Sequence, residues 1–305
     1  MTSESTFISL MRNMARDPAA RGLLDDTAVI TLGTETLILT HDMMAEDVHW
    51  LSAADAADVA WKLVSANLSD LAAKGARPLG VLLGFMLGDD QWDRRFADGL
   101  QAALEHYGVP LLGGDTVSNR GDKRALGMTA IGAATSTSVP SRASAQPGDV
   151  LYVTGTLGDA LAGFEMAEAG LEGAPALMSA YHRPVAKLAE GQALAPHVTA
   201  MMDVSDGLLL DAERMASASK VKITIDLALI PLSAPYRQQR GDSLDSRLQA
   251  ASWGDDYQLL FTASAAVELP ISATSVGFVT GGSGLSLADN GTPIPLPPTL
   301  GYQHR

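Results

Sequence analysis

Apolar positions in this 305-residue chain recur with two different periods. Between Asp55 and Lys74 they return at threes and fours (Val59, Leu63, Ala66, Leu71), the spacing of one helix face, and Gly75 stands where such a helix would end. A second helical stretch runs from about Gln91 to Tyr107 and stops at Gly108. Short runs rich in Val, Ile, Leu and Thr predict strands: two in AVITLGTETLILTHD around a Gly-Thr turn, then Leu79 to Leu87, VPLLGGD and ALGMTAIGAA. Residues 1–24 read as a helix followed by a basic, loosely structured lead-in.

The pattern changes at SVPSRASAQPGDV, residues 138–150, which is rich in Ser, Pro and Ala and poor in large apolar groups. A domain boundary is placed there, giving domains 1–137 and 138–305. DVLYVTGTLGDALAGFEMAEAG then opens a new strand, turn and helix. Helices are expected near 175–194 and 207–219, and strands near 221–227, Leu259 to Thr262 and Thr274 to Val279. The Pro-rich tail TPIPLPPTLGYQHR reads as an extended arm. The mixed order of elements favours an α+β fold over a doubly wound parallel sheet.

Composition narrows the function. A net charge of −14, from 21 basic and 35 acidic residues, argues against general nucleic-acid binding. An anionic small molecule is compatible with it if cations mediate the contact. The absence of cysteine excludes disulfides, thiolate ligands and cysteine nucleophiles, and fits a reducing cytoplasm. The start, MTSESTFISLMRNMARD, lacks the pattern of a signal peptide, and no run approaches the roughly 18 apolar residues of a membrane span.

Aspartates recur at the ends of the expected elements: Asp25 and Asp26 in LLDD, Asp42 in LTHD, Asp70 in NLSDLAA, Asp115 in LLGGD, Asp203 and Asp206 in MMDVSDG, Asp255 and Asp256 in WGDDYQLLF. Aspartate is common in caps and turns, which explains any one of them. Brought together, they would instead form a hard-oxygen site for Mg²⁺ and phosphates. Asp70 fits the first explanation worst, because it lies inside a helical pattern where Asp is a poor former. LLGGDT and TGTLGDALAG match neither the P-loop nor the dinucleotide fingerprint. Neither HExxH nor G-x-S-x-G is present.

Together, LLDD, LTHDMMAEDVHW, NLSDLAAKGARP, LLGGDT, SRASAQPGDVLYVTGTLGDALAG, DVSDGLLLD and GDDYQLLF resemble, in order and spacing, the thiamine-monophosphate kinase family. The resemblance spans about residue 4 to Tyr302. NLSDLAAKGA, GGDT and SDGL are shared with the wider superfamily of aminoimidazole ribonucleotide synthetase and selenophosphate synthetase. The Asp42–His49–Trp50 spacing and GDDYQLLF point more narrowly to the thiamine enzyme.

The resemblance implies two α+β domains: an N-terminal one whose mixed sheet closes a barrel with that of a second copy, and a C-terminal α/β sandwich. It implies a cytoplasmic homodimer that transfers the ATP γ-phosphoryl group to thiamine monophosphate, with several Mg²⁺ ions and no phosphoenzyme. Asp26, Asp42, Asp70, Asp115 and Asp203 fall on the family's principal metal carboxylates. Thr40 and His41 fall on metal-contacting Ser/Thr positions, and Asp206 on a further metal ligand. Gly114, Arg142 and Ser205 match nucleotide-binding positions, and His49, Asp255 and Tyr302 match substrate-binding ones. No general base is assigned.

Three departures stand out. GLLDD replaces the frequent G-I-G-D-D, Thr40-His41-Asp42 replaces Ser-Thr-Asp, and Asp255 replaces a Glu. A His side chain cannot replace a hydroxyl oxygen on Mg²⁺; only its backbone carbonyl could. Two other readings stay open: another ATP-dependent enzyme of the superfamily, and a non-catalytic binder of nucleotide or thiamine phosphate. The lack of cysteine weighs against selenophosphate synthetase.

Overall fold

The structure is a computed structural model and describes residues 4–118, 121 and 123–303. A short helix, α1 (Glu4–Arg12), and a 3-10 segment, Pro18–Leu23, lead into the first sheet. That sheet has the order β1-β2-β5-β3-β4, from β1 (Ala28–Leu32), β2 (Glu35–Ala45), β3 (Ala76–Leu87), β4 (Leu111–Ser118) and β5 (Ala125–Ala134). Only β3 and β4 are parallel, and the helix between them makes the crossover that parallel pairing requires.

Two helices serve this sheet, α2 (Ala56–Ala73) and α3 (Asp90–Tyr107). Asp55 caps α2 by accepting from the Ala57 N–H. Gly75 ends it: its φ of +60° suits glycine, and a Cβ there would lie 2.4 Å from the Ala195 Cβ. α2 is buried on nearly all sides, because it packs on the first sheet and also touches the second domain. Leu63, Leu68 and Leu71 are fully buried, each stabilising the fold by about 1.5–3 kcal/mol.

The second sheet has the order β12-β11-β8-β10-β6-β9-β7. Its strands are β6 (Asp149–Val153), β7 (Ala200–Asp203), β8 (Lys222–Asp226), β9 (Leu259–Ser264), β10 (Thr274–Thr280), β11 (Gly284–Asp289) and β12 (Thr292–Ile294). Only β8 and β11 are parallel. Its helices are α4 (Asp159–Glu168), α5 (Pro175–His182), α6 (Leu188–Leu194), α7 (Leu208–Ser219), α8 (Ala234–Arg240) and α9 (Leu244–Ser252). The architecture is therefore α+β.

The single helix expected near 175–194 is in fact two. Pro184 pushes Arg183 out of the helical region, to φ −134° and ψ 62°, and the chain restarts at Leu188. α8, α9, β11 and β12 had no counterpart in the sequence reading. A small apolar cluster of Ala72, Ala73, Leu194, Met201, Leu259 and Phe261 joins α2 to the second domain. Among the described residues no helix is long and apolar enough to cross a membrane.

Candidate active site

The site forms where the end of α2 meets the end of β7. Along α2, Lys62, Ala66 and Asp70 follow at steps of four, and Lys74, one step further, is the C-cap, so each neighbours the next on the surface. Asn67 and Ser69 flank it. Asn67 Oδ1 accepts from the Asp42 backbone N–H at 3.0 Å, and Ser69 Oγ donates to Asp203 Oδ2 at 2.6 Å. On β2 the strand period turns Ile38, Thr40, Asp42 and Met44 towards the helix. Thr40 Oγ1 donates to Asp70 Oδ2.

Asp26, Asp70 and Asp203 each offer a carboxylate oxygen, and these lie within 4.8 Å of one another. Burial and the neighbouring Asp42, Asp203 and Asp26 push Asp70 well above the usual carboxylate range. Burial, with Asp26 and Asp42, pushes Asp203 up to about 7 against the Ser69 hydrogen bond. Burial, with Asp26 and Asp206, raises Asp42 to about 6. Enclosed carboxylates that resist ionising because of one another gain from a divalent cation. These are hard oxygen donors of the kind Mg²⁺ takes, and three of them are more than the one or two that a single ion also binding substrate phosphates uses.

Asp26 is held differently. Burial works against its ionisation, but Arg142 and Lys74 outweigh that and keep it below the usual range. Arg142 Nη2 donates to Asp26 Oδ1, and Lys74 Nζ donates to Asp26 Oδ2 at 2.8 Å. Lys74 also meets Asp25 Oδ1 at 2.6 Å, and Arg21 Nη1 reaches Asp25 Oδ2 at 2.5 Å. Burial opposes the charge on Asp25 too, and Lys74 and Arg21 overcome it.

Beyond β7 the chain turns through Ser205 and Asp206. Asp211, buried in the first turn of α7, accepts from the Ser205 and Asp206 N–H groups, both at 3.1 Å. Burial and Asp206 push Asp211 up to about 8, although Arg214 opposes this. Arg214 pairs with both Asp206 and Asp211. Asp206 therefore does not cap α7, whose N-cap is Gly207. The tail returns here: the Tyr302 N–H donates to the Asp206 carbonyl at 2.9 Å, and the Tyr302 side chain is exposed.

His49 and Asp255 meet through Lys62. Lys62 Nζ donates to Asp255 Oδ2 at 2.6 Å and to the His49 carbonyl at 3.1 Å, and it lies 4.4 Å from the centre of the Tyr181 ring. His49 Nδ1 accepts from the Ala45 N–H at 3.0 Å, which leaves Nε2 as the ring's donor. Asp255 adopts a φ of +65° beside Gly254, where a Cβ would stand 2.2 Å from the Ser205 carbonyl. The two aspartates of GDDY diverge, since Asp256 turns away to accept from the Gly158 N–H.

Three expected site residues stand apart within one chain. His41 lies on the other face of β2 from Asp42, exposed, with Nδ1 2.9 Å from Thr129 Oγ1. Gly114 and Asp115 sit on β4, the exposed edge strand. Asp42 pairs with Met128, Met128 with Leu83 and Leu83 with Gly114, so three strand steps, roughly 14 Å, separate them across the sheet. Gly114 also has a packing reason: a Cβ there would stand 1.9 Å from the Leu83 carbonyl. The sequence reading missed Lys62, Asn67, Ser69, Lys74, Asp211 and Arg214. Polar residues at helical spacing inside an otherwise apolar α2, and at its C-cap, were the available signal for the first four.

Residues 24–134 match the family model of the AIR synthase related protein N-terminal domain, and 146–284 that of the C-terminal domain. The thiamine-monophosphate kinase of Caulobacter vibrioides is 35% identical over 97% of this chain and 88% of its own. That of Escherichia coli K12 is 34% identical over 93% of this chain and 91% of its own. The solved complex of AaThiL with AMPPCP and TMP superposes with a TM-score of 0.88 at 30% identity, covering 99% of this chain and 97% of that one. On this extent of identity, the chain belongs to the thiamine-monophosphate kinase family.

Proposed function

We propose that this protein transfers the γ-phosphoryl group of ATP to the phosphate of thiamine monophosphate, giving thiamine diphosphate and ADP. The carrying observation is the convergence of Asp26, Asp70 and Asp203 within 4.8 Å, beside Arg142 and the Ser205–Asp206 turn. A relative of the same fold has been solved with AMPPCP and TMP.

Asp26, Asp42, Asp70 and Asp203 would hold Mg²⁺, with Thr40 fixing Asp70, Ser69 fixing Asp203 and Asp206 standing at the rim. Bound Mg²⁺ offsets the negative charge of the two substrates' phosphates, which the aspartates alone would repel. Arg142 and Ser205 serve the nucleotide, with Arg142 leaving Asp26 Oδ1 to meet a phosphate. His49, Asp255 and Tyr302 serve thiamine monophosphate. Lys62 already neutralises Asp255, so Asp255 acts there as a hydrogen-bond acceptor more than as a counter-ion to the thiazolium. An oxygen of the acceptor phosphate forms the new P–O bond as the bond from the γ-phosphorus to the β,γ-bridging oxygen breaks. That attacking oxygen is ionised near neutrality, so no general base is needed.

The active form we assign is a homodimer. The outer face of the first sheet exposes Met43, Leu82 and Leu112 at 60, 37 and 55%. Covering it with a second copy buries these groups. It also offers a route for one copy's Gly114 and Asp115 to reach the other copy's carboxylates.

The test is thiamine diphosphate formation from thiamine monophosphate, ATP and Mg²⁺, with wild type and Asp203→Asn. Product from wild type and a loss of about two to three orders of magnitude in the variant is expected. ATP binding without product from wild type would assign the chain to a binding role instead.

A further inference from the structure

Lys74 is the most enclosed cation in the site, and the chemistry above makes no use of it. It is 1% exposed and directly follows α2. Three oxygens surround its ammonium: Asp25 Oδ1 at 2.6 Å, Asp26 Oδ2 at 2.8 Å and the Met201 carbonyl at 3.3 Å. Its position four residues beyond Asp70 puts it about one turn further along from that carboxylate.

We propose that Lys74 is a built-in cation of the carboxylate cluster, holding Asp26 Oδ2 permanently and taking the place between Asp25 and Asp26 that a divalent ion would otherwise fill. This rests on the metal reading of the cluster.

Three observations support it. Two carboxylates and a carbonyl around one cation form a set of hard oxygen donors of the kind that binds Mg²⁺. The two cations on Asp26 are not equivalent. Arg142 sits on a 3-10 turn with its side chain 15% exposed, whereas the Lys74 side chain is 0% exposed. Arg142 can therefore leave for a phosphate. Lys74 cannot leave without taking away one of the two cations, itself and Arg21, that hold the enclosed Asp25, whose side chain is 1% exposed. Finally, Met201 and Asp26 come from different domains, so the ammonium ties β7 to the loop before β1. With Lys74 in place, Asp26 has only Oδ1 to offer a metal, and the cluster takes up fewer divalent ions.

A purely structural Lys74 predicts lower stability without it and an unchanged ion count. The experiment counts Mn²⁺ bound per full-length chain, by electron paramagnetic resonance without nucleotide. It compares wild type, Lys74→Arg, Lys74→Met and the double variant Asp25→Asn/Lys74→Met. The double variant removes one charge of each sign, so it leaves the net charge of the buried group unchanged. One additional ion in the folded Lys74→Met proteins, with the wild-type count in Lys74→Arg, is expected. A Lys74→Met protein that folds only when Mn²⁺ is present also supports the proposal, because the ion then replaces the ammonium. Equal counts in wild type and the folded Lys74→Met proteins would overturn it. So would failure of both Lys74→Met proteins to fold in Mn²⁺, which marks Lys74 as structural. A wild type that binds no Mn²⁺ overturns the metal reading itself, a separate and recognisable result.

Discussion

Ser69 and Asp203, 134 positions apart in the chain, are joined by a 2.6 Å hydrogen bond in which the hydroxyl donates to the carboxylate. α2 thereby sets the orientation of a carboxylate delivered by a strand of the other domain. Ser69→Ala leaves Asp203 present but untethered. Outer partners of metal ligands typically control affinity by roughly 10–100-fold. The Mg²⁺ concentration for half-maximal activity should rise by that order, with thermal stability little changed. An unaltered Mg²⁺ requirement would remove Ser69 from the site.

The metal-free protein should lose stability as the pH rises. Burial and neighbouring carboxylates push Asp42 up to about 6 and Asp203 up to about 7, and raise Asp70 well above the ordinary carboxylate value of about 3.9. Between about pH 4 and 7 the folded chain thus binds more protons than the unfolded one, and stability falls with rising pH. Asp25 and Asp26 are lowered, so their contribution is present above about pH 4 and is lost as the pH falls further. Melting in EDTA should peak near about pH 4–5 and decline towards pH 8, and Mg²⁺ should flatten the decline. A melting temperature in EDTA that climbs steadily to pH 8 contradicts this.

Lys62→Met should act on the acceptor substrate. It strips Asp255 of its cation while Asp255 remains a quarter exposed. The stability cost should be on the order of 2 kcal/mol, below the roughly 3–5 kcal/mol for a fully enclosed pair. The KM for thiamine monophosphate should rise more than that for ATP, which steady-state kinetics with each substrate varied will read. Equal effects on both would detach Lys62 from the acceptor side.

Asp211→Asn keeps the shape of the side chain and one acceptor oxygen for the Ser205 and Asp206 N–H groups. It gives up the charge that faces Arg214. Because burial already resists that charge, little stability should be lost near neutrality. Asp211→Leu removes the acceptor altogether and should cost about 1–3 kcal/mol, with a weakened affinity for ATP. Denaturant melts of the two variants check this, and equal losses would contradict it.

Leu112→Glu should break the proposed homodimer. Placing a charge on the apolar outer face disfavours its burial against a second copy. Light scattering should report one chain where wild type shows two, and turnover should fall with it, because Asp115 then has no partner cluster to join. A variant that remains dimeric would locate the interface elsewhere.

The helices over α2 and α3 and the strands of the first sheet were legible because each has a strong local period, with a clear stop at Gly75 or Gly108. The split at Pro184 carried a local signal that the apolar run concealed. α8, α9, β11 and β12 are short, and their stability comes from packing against neighbours that periodicity does not encode. The chemistry divides in the same way. Residue order was enough to raise Asp26, Asp42, Asp70 and Asp203 as oxygen donors, since hard-cation chemistry depends on residue type. Which of them converge is a property of the tertiary structure. The burial of Lys74 and Lys62, the tether from Ser69 to Asp203 and the distance of Asp115 from the cluster all depend on how two domains and a sheet register bring remote residues together. The sequence by itself determined the family and raised the candidate oxygen donors. Only the fold decided which charges are enclosed together, and enclosure is what turns ordinary aspartates into carboxylates that need a cation.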